Sequence, residues 1–278
     1  MKIRYICPHW GQEYLAPEQF IENVIDAGYS GIEINIGALR NRVHWMNVLQ
    51  ETREQYPEFI VIGQMVPEER YNRFNLFYKE MQQRLALIAD FNPVFINSHT
   101  GKDFFSFNEN CLLLELATTF SKQSGIPVYH ETHRGRFSYA LHLMPPYLKQ
   151  FPGLGLVADY SHWCNVSESL LHDQSETLRS VIPHIRHIHA RIGYEQSPQL
   201  ADPFVPHYKN YLDTFTNWWK DILLHYQKKE LQFTICTEAG PAPYMPVNPA
   251  TGRPLANQWQ INTAMLRYLK ETFAGFTA

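Results

Sequence analysis

A chain of 278 residues with 45% apolar residues can bury one large core, and it is long for a simple two-layer domain. A formal net charge of −3 gives no electrostatic footprint for nucleic acid or an anionic membrane. No apolar run is long enough to span a bilayer, and the start, Met1 to His9, enters a strand without the apolar stretch of a secretory leader. The expectation is a cytoplasmic protein whose scattered cysteines, Cys7, Cys111, Cys164 and Cys236, are reduced core thiols, since no CxxC pair is present.

The first strand runs from Ile3 to Cys7 and exits at Pro8-His9-Trp10. Pro17 and Glu18 open an amphipathic helix carrying Phe20, Ile21, Val24 and Ile25, which Ala27-Gly28 closes. A second strand spans Gly31 to Ile36, with Glu33 or Asn35 at its inward position, and a helix from about Trp45 to Tyr56 follows. Strand three, Phe59 to Met65, contains Gln64 and precedes a long helix from about Tyr71 to Asp90. Strand four, Pro93 to Ser98, exits at His99-Thr-Gly101; a helix from Asn108 to Ser124 then ends in Gly125.

Strand five, Ile126 to Glu131, exits into Thr-His-Arg134. The segment Tyr139 to Phe151 reads as a helix broken at Pro145-Pro146. Strand six is Leu154 to Asp159, strand seven Ile185 to His189 and strand eight Phe233 to Glu238. A long loop, Gly193 to Tyr208, and a helix from Tyr211 to Tyr226 separate the last two strands, and a helix from about Trp259 to Phe273 ends the chain. The loop reads as a lid or an interface.

Strand starts recur at about the length of one β-loop-α unit, and eight such units fill the chain with no linker left over. Alternating strands and helices argue for a parallel sheet, and an unbroken eightfold repeat argues for closure. The fold class is therefore α/β, a single-domain (β/α)8 TIM barrel covering residues 1–278.

Side chains at the carboxyl ends of the strands of such a barrel converge on one mouth. Glu131, Asp159, His189 and Glu238 stand at the exits of four consecutive strands. Three carboxylates and one imidazole suit Mn²⁺, Mg²⁺ or Co²⁺ and accept Zn²⁺. Without a cation, like carboxylates in one pocket repel and are costly. A strand-end Asp is often only a helix cap, and of His187 and His189 the deeper is more often a hydrogen-bonded core residue. His99 and His9, with Trp10, Trp163 and Phe104, are rim candidates for substrate contact that read equally as loop or core packing. Glu33 and Gln64 read as a hydrogen bond inside the barrel. Arg134 could take a substrate anion or pair with a helix carboxylate. The Pro-rich stretch from Gly240 to Pro246 is a rigid candidate for a wall of the entrance.

The set Glu131, Asp159-x-x-His162, His-x-His189-x-Arg191 and Glu238 resembles the sugar phosphate isomerase/epimerase family of xylose isomerase-like TIM barrels, which includes ketose 3-epimerases. The resemblance covers the chain by strand spacing, with its specific residues in the second half. It implies that Glu131, Asp159, His189 and Glu238 bind one divalent metal. Glu131 and Glu238 then act as acid and base on opposite faces of a sugar, while His162 and Arg191 bind substrate oxygens. The implied reaction is proton abstraction beside a carbonyl through an enediolate, on a carbohydrate or its phosphate. Barrels of this type often form homodimers. Thr-His-Arg-Gly-Arg after Glu131 departs from the acidic and aromatic specificity residues of the ketose epimerases, which leaves the substrate open. A metal-dependent lyase or dehydratase shares the first step, and a catalytically inactive sugar-binding barrel is the reading from another class. An apurinic endonuclease would need more histidines and carboxylates after the seventh strand, where Ala190-Arg-Ile-Gly193 stands, and a basic phosphate-tracking face.

Overall fold

The computed structural model describes residues 1–68, 72–229 and 232–276. Eight parallel strands alternate with nine α-helices along the described residues, and the strand order β1 to β8 closes into a barrel. This is the (β/α)8 architecture that the repeat predicts. By its contacts the chain divides into two compact units, Ile6–Ser138 and Met1–Tyr5 together with Tyr139–Ala278.

In the unit Ile6–Ser138, the end of β1 (Lys2–Pro8) pairs with β2 (Gly31–Ile34), which pairs with β3 (Ile60–Met65). The ladder continues through β4 (Ile96–Ser98) to β5 (Val128–Glu131). Gly31 lies against β3 so closely that a Cβ there would stand 2.1 Å from the Ile60 carbonyl oxygen, so only glycine fits. The helices are α1 (Pro17–Asp26), α2 (Arg42–Gln55), α3 (Phe74–Ala89) and α4 (Phe107–Ser124). Ser106 and Glu109 form a reciprocal capping box at the start of α4, and Gly125 ends it with φ 74°.

Several boundaries differ from the sequence reading. Helix α2 starts three residues early because the Asn41 side chain accepts from the His44 N–H. Tyr71, the expected start of the third helix, lies outside the described residues. Strand β2 stops at Ile34, where a tight helical turn, Ile36–Ala38, takes over. Strand β4 begins only at Ile96, because Asn92 has φ 49° and Pro93 has no N–H to donate.

The other unit carries α5 (Met144–Gln150), β6 (Leu156–Ala158), α6 (Tyr160–Ser167), α7 (Ser175–Val181), β7 (Ile185–His189), α8 (Lys209–Tyr226), β8 (Gln232–Cys236) and α9 (Gln258–Thr272). Within it β6 pairs with β7 and β7 with β8. Pro145 and Pro146 do not break a helix. They lie in the first turn of α5, where backbone N–H groups have no partner inside the helix and proline costs nothing. Helices α6 and α7 are absent from the sequence reading. Helix α6 spans only eight residues and α7 only seven, too short for a helical period to stand out. Strands β6 and β8 end before their acidic residues, leaving Asp159 and Glu238 in the loops just beyond.

Two histidines belong to the core. His9 packs edge-on between Phe20 and Trp45, with ring centroids 4.9 and 5.0 Å away, and burial pushes its pKa down to about 4. The His130 Nδ1 stands 2.7 Å from the Thr100 hydroxyl, and burial pushes its pKa down to about 3. In the unfolded chain both titrate near 6.5. As pH falls below 6.5 the unfolded chain therefore takes up protons that the folded chain refuses, and stability falls with it. Integrated to pH 4, each histidine should cost about 3 kcal/mol. Urea midpoints measured from pH 7 to pH 4 should fall steeply, and less steeply in His9→Phe. Equal slopes for the variant and the wild type would show that His9 is not held neutral.

Candidate metal centre

The unit that contains Tyr139–Ala278 gathers five ionisable side chains at the exits of β6, β7 and β8. Asp159, the residue after β6, caps α6: its Oδ1 accepts from the Ser161 N–H at 3.1 Å and from the Ser161 hydroxyl at 2.5 Å. The helix cap foreseen for an Asp at a strand end is thus real, but it occupies one oxygen. The other, Oδ2, takes a hydrogen bond from the Arg191 guanidinium and lies 3.6 Å from His162 Nε2.

Arg191, two residues past β7, is 3% exposed. Its Nε donates to the Ser161 hydroxyl at 3.3 Å, and an Nη2 hydrogen points at His162 Nε2 at 2.8 Å. Arginine can only donate, so His162 Nε2 is the acceptor and the ring is neutral here. The Tyr244 ring covers the guanidinium, with Cζ 4.8 Å from its centroid, a cation–π contact inside the protein. Tyr244 lies in the Pro-rich stretch after β8, which therefore covers one member of the cluster.

His189 and Glu238 meet most closely. The Nδ1 of His189 stands 2.6 Å from Oε2 of Glu238, yet the pair lacks the alignment of a hydrogen bond. A ring nitrogen and a carboxylate oxygen are directed into one small space, as ligands of a shared cation are. His189, Asp159 and Glu238 each offer a ligand atom within 4.8 Å of one another, and all three are buried. His187, deeper on the same strand, is bound instead by the Thr234 carbonyl at 3.0 Å and hydroxyl at 2.7 Å. It is the hydrogen-bonded core histidine expected of the inner position.

The backbone beyond Glu238 is pinned. Ala239 N–H donates to Asn262 Oδ1 at 2.8 Å, while Asn262 and Gln258 of α9 both donate to the Ala239 carbonyl. Gln199 exchanges two hydrogen bonds with Gly240, at 2.7 and 3.0 Å. The long loop after β7 therefore holds the site from behind through Gln199.

In the unit Ile6–Ser138, Glu131 ends β5 with 1% of its surface exposed. A chain of amides leads to it. Gln64 Nε2 donates to Glu33 Oε1 at 3.0 Å, and Asn97 Nδ2 donates to Glu33 Oε1 at 2.8 Å and to Glu131 Oε2 at 2.7 Å. The layer hydrogen bond expected of Glu33 and Gln64 is present, and Asn97 extends it to Glu131. Sequence reasoning missed Asn97, although an amide inside an apolar strand is a readable signal. It missed Ser161 and Tyr244 as well, whose roles depend on long-range packing. His99 lies 2.9 Å from Glu131 Oε2 and is half-buried beside His133. Two buried carboxylates sharing one amide are electrostatically costly unless a cation stands nearby, and the oxygen-rich donor set fits a divalent ion.

Other rim candidates fall elsewhere. His9 is inside the core and offers no open wall. Trp163 is fully buried and stacks on Tyr160 at 5.0 Å, whereas Phe104 is 65% exposed and packs on Phe105. Arg134 is exposed. All four cysteines are buried and in no disulfide, and no helix among the described residues is long and apolar enough to cross a membrane.

No family model matches the sequence, and no curated protein is significantly similar to it. Solved structures are similar over nearly the whole chain. The probable 3-DHS dehydratase AsbF of Bacillus anthracis, involved in petrobactin synthesis, matches with TM-score 0.64 and 16% identity, covering 96% of this chain and 98% of its own. A D-psicose 3-epimerase studied in the presence of D-fructose matches with TM-score 0.65 and 12% identity, covering 98% and 100%. A xylose isomerase domain containing protein of Salmonella typhimurium matches with TM-score 0.65 and 11% identity, covering 97% of each chain. Strand order and these likenesses agree: this chain has the fold of the xylose isomerase-like TIM barrels.

Proposed function

We propose that the protein is a divalent-metal-dependent isomerase or epimerase of a sugar or sugar phosphate, with residues 1–278 acting as one cytoplasmic barrel domain. Glu131, Asp159, His189 and Glu238 hold one ion, Mn²⁺, Co²⁺, Zn²⁺ or Mg²⁺. The observation that carries the reading is the unaligned 2.6 Å approach of His189 Nδ1 and Glu238 Oε2 beside buried Asp159. When bound, the ion supplies Lewis-acid stabilisation to negative charge that develops on substrate oxygens.

The chain's own residues do the rest. Glu238 takes the proton from the carbon beside the carbonyl, and Glu131 returns one on the opposite face. Asn97 orients the Glu131 carboxylate by donating to Oε2. Arg191, fixed by Asp159, Ser161 and the Tyr244 ring, presents donors to substrate hydroxyls or a phosphate together with His162 and His99. A dehydratase would share the proton abstraction, and one of the similar structures is a probable dehydratase.

The test is incubation with Mn²⁺ and a panel of ketoses, ketose phosphates and hydroxy-ketones in D₂O, followed by NMR. Deuterium entering the carbon beside the carbonyl is expected. An epimeric or isomeric product supports the isomerase reading, and loss of water with a new alkene signal supports the dehydratase. No exchange with any compound, in protein shown to hold metal, would sink both.

A further inference from the structure

We propose a second metal site, formed by His99, Glu131 and His133 and selective for Zn²⁺ or Co²⁺, that shares Glu131 with the centre described above. It goes beyond the proposed reaction and is independent of Asp159, His189 and Glu238.

The three side chains offer ligand atoms within 4.8 Å of one another. His99 Nε2 stands 2.9 Å from Glu131 Oε2, and the two imidazole rings lie 4.6 Å apart, centroid to centroid, at 37°. Two ligands on one tetrahedral Zn²⁺ stand roughly 3.3 Å apart, given bonds of about 2.0–2.1 Å, so a small opening of the His99–Glu131 pair admits the ion. The Nδ1 of His133 lies 2.5 Å from the Arg134 carbonyl oxygen, which can only accept, so Nδ1 carries a hydrogen and Nε2 is the nitrogen that would take the ion. A ring whose far nitrogen donates to a backbone carbonyl is the usual setting of a metal-bound histidine.

Loop geometry supports this placement. Ser138 donates from its hydroxyl to the Glu131 carbonyl and accepts from the His133 N–H at 3.4 Å, which ties the loop back to the end of β5. Glu131 is buried, while His99 and His133 are partly exposed, so water or a substrate oxygen can reach an ion held there. Two imidazoles and one carboxylate are a softer set than three carboxylates and one imidazole, and favour Zn²⁺ or Co²⁺ over Mg²⁺.

Metal-free protein is dialysed against Co²⁺, freed of excess ion and measured by elemental analysis and visible absorption, with circular dichroism to confirm folding. The wild type is expected to hold two equivalents. His133→Ala should hold one and lose the Co²⁺ absorption of the second site, and Asp159→Asn should retain the equivalent that His133→Ala loses. Retention of two equivalents in His133→Ala overturns the proposal. One equivalent that Asp159→Asn removes and His133→Ala leaves would also overturn it, while sparing the proposed reaction centre. One equivalent with the opposite response would support the second site and sink the first, and no bound metal would sink both.

Discussion

Glu238→Gln is expected to lower turnover about 10²- to 10⁴-fold in the assay that first detects activity, the range for losing one positioned acid or base. The amide keeps the shape of the side chain but cannot accept the substrate proton, and it is a poorer ligand for a cation. Metal content should fall in the same variant, because Glu238 Oε2 and His189 Nδ1 face one point 2.6 Å apart. Deuterium exchange separates the two losses. With saturating Mn²⁺ the ion can be restored, whereas exchange stays suppressed if Glu238 is the base. Full exchange with restored metal would remove Glu238 from proton transfer and leave it a ligand only.

Arg191→Met is expected to destabilise the protein by about 3–5 kcal/mol, the cost of removing one partner of a buried ion pair. Arg191 and Asp159 are both almost wholly buried, so solvent does not screen the uncompensated carboxylate. For a chain of this size the loss corresponds to a Tm lower by roughly 10 °C. Because Asp159 would then lack its cation, added Mn²⁺ should recover part of the loss. In Asp159→Asn/Arg191→Met the two penalties should fall well short of their sum, by at least about 1 kcal/mol. Strict additivity would mean that the pair is not coupled and that Arg191 acts only through packing.

The fold was legible because its signal is repeated. Eight apolar strands at near-constant spacing, each followed by a helical pattern, leave few alternatives to a parallel barrel. The errors fell where that signal is short or one-sided. Helix α6 runs only from Tyr160 to Ser167, about two turns, too short for a helical period to stand out in the sequence. The general rule that proline breaks helices predicts a break at Pro145 and Pro146. Only the position of the first turn reveals that they start one.

At the centre, sequence by itself determined which groups stand at the strand exits: Glu131, Asp159, His189, Glu238 and, just beyond, His162 and Arg191. Strand alternation and the βα repeat are local properties, so residue type and spacing were sufficient to place His189 at the exit of β7 and His187 deeper on the same strand. Tertiary structure alone decided how those groups are used. Asp159 divides its two oxygens between a helix cap and Arg191, and Asn97 joins Glu33 to Glu131 across 34 residues of chain to the latter. His9 went to the core because Phe20 and Trp45, on separate helices, close around it. These outcomes depend on hydrogen-bond angles and on side chains brought together from distant segments, and neither is encoded in the spacing of residues along the chain.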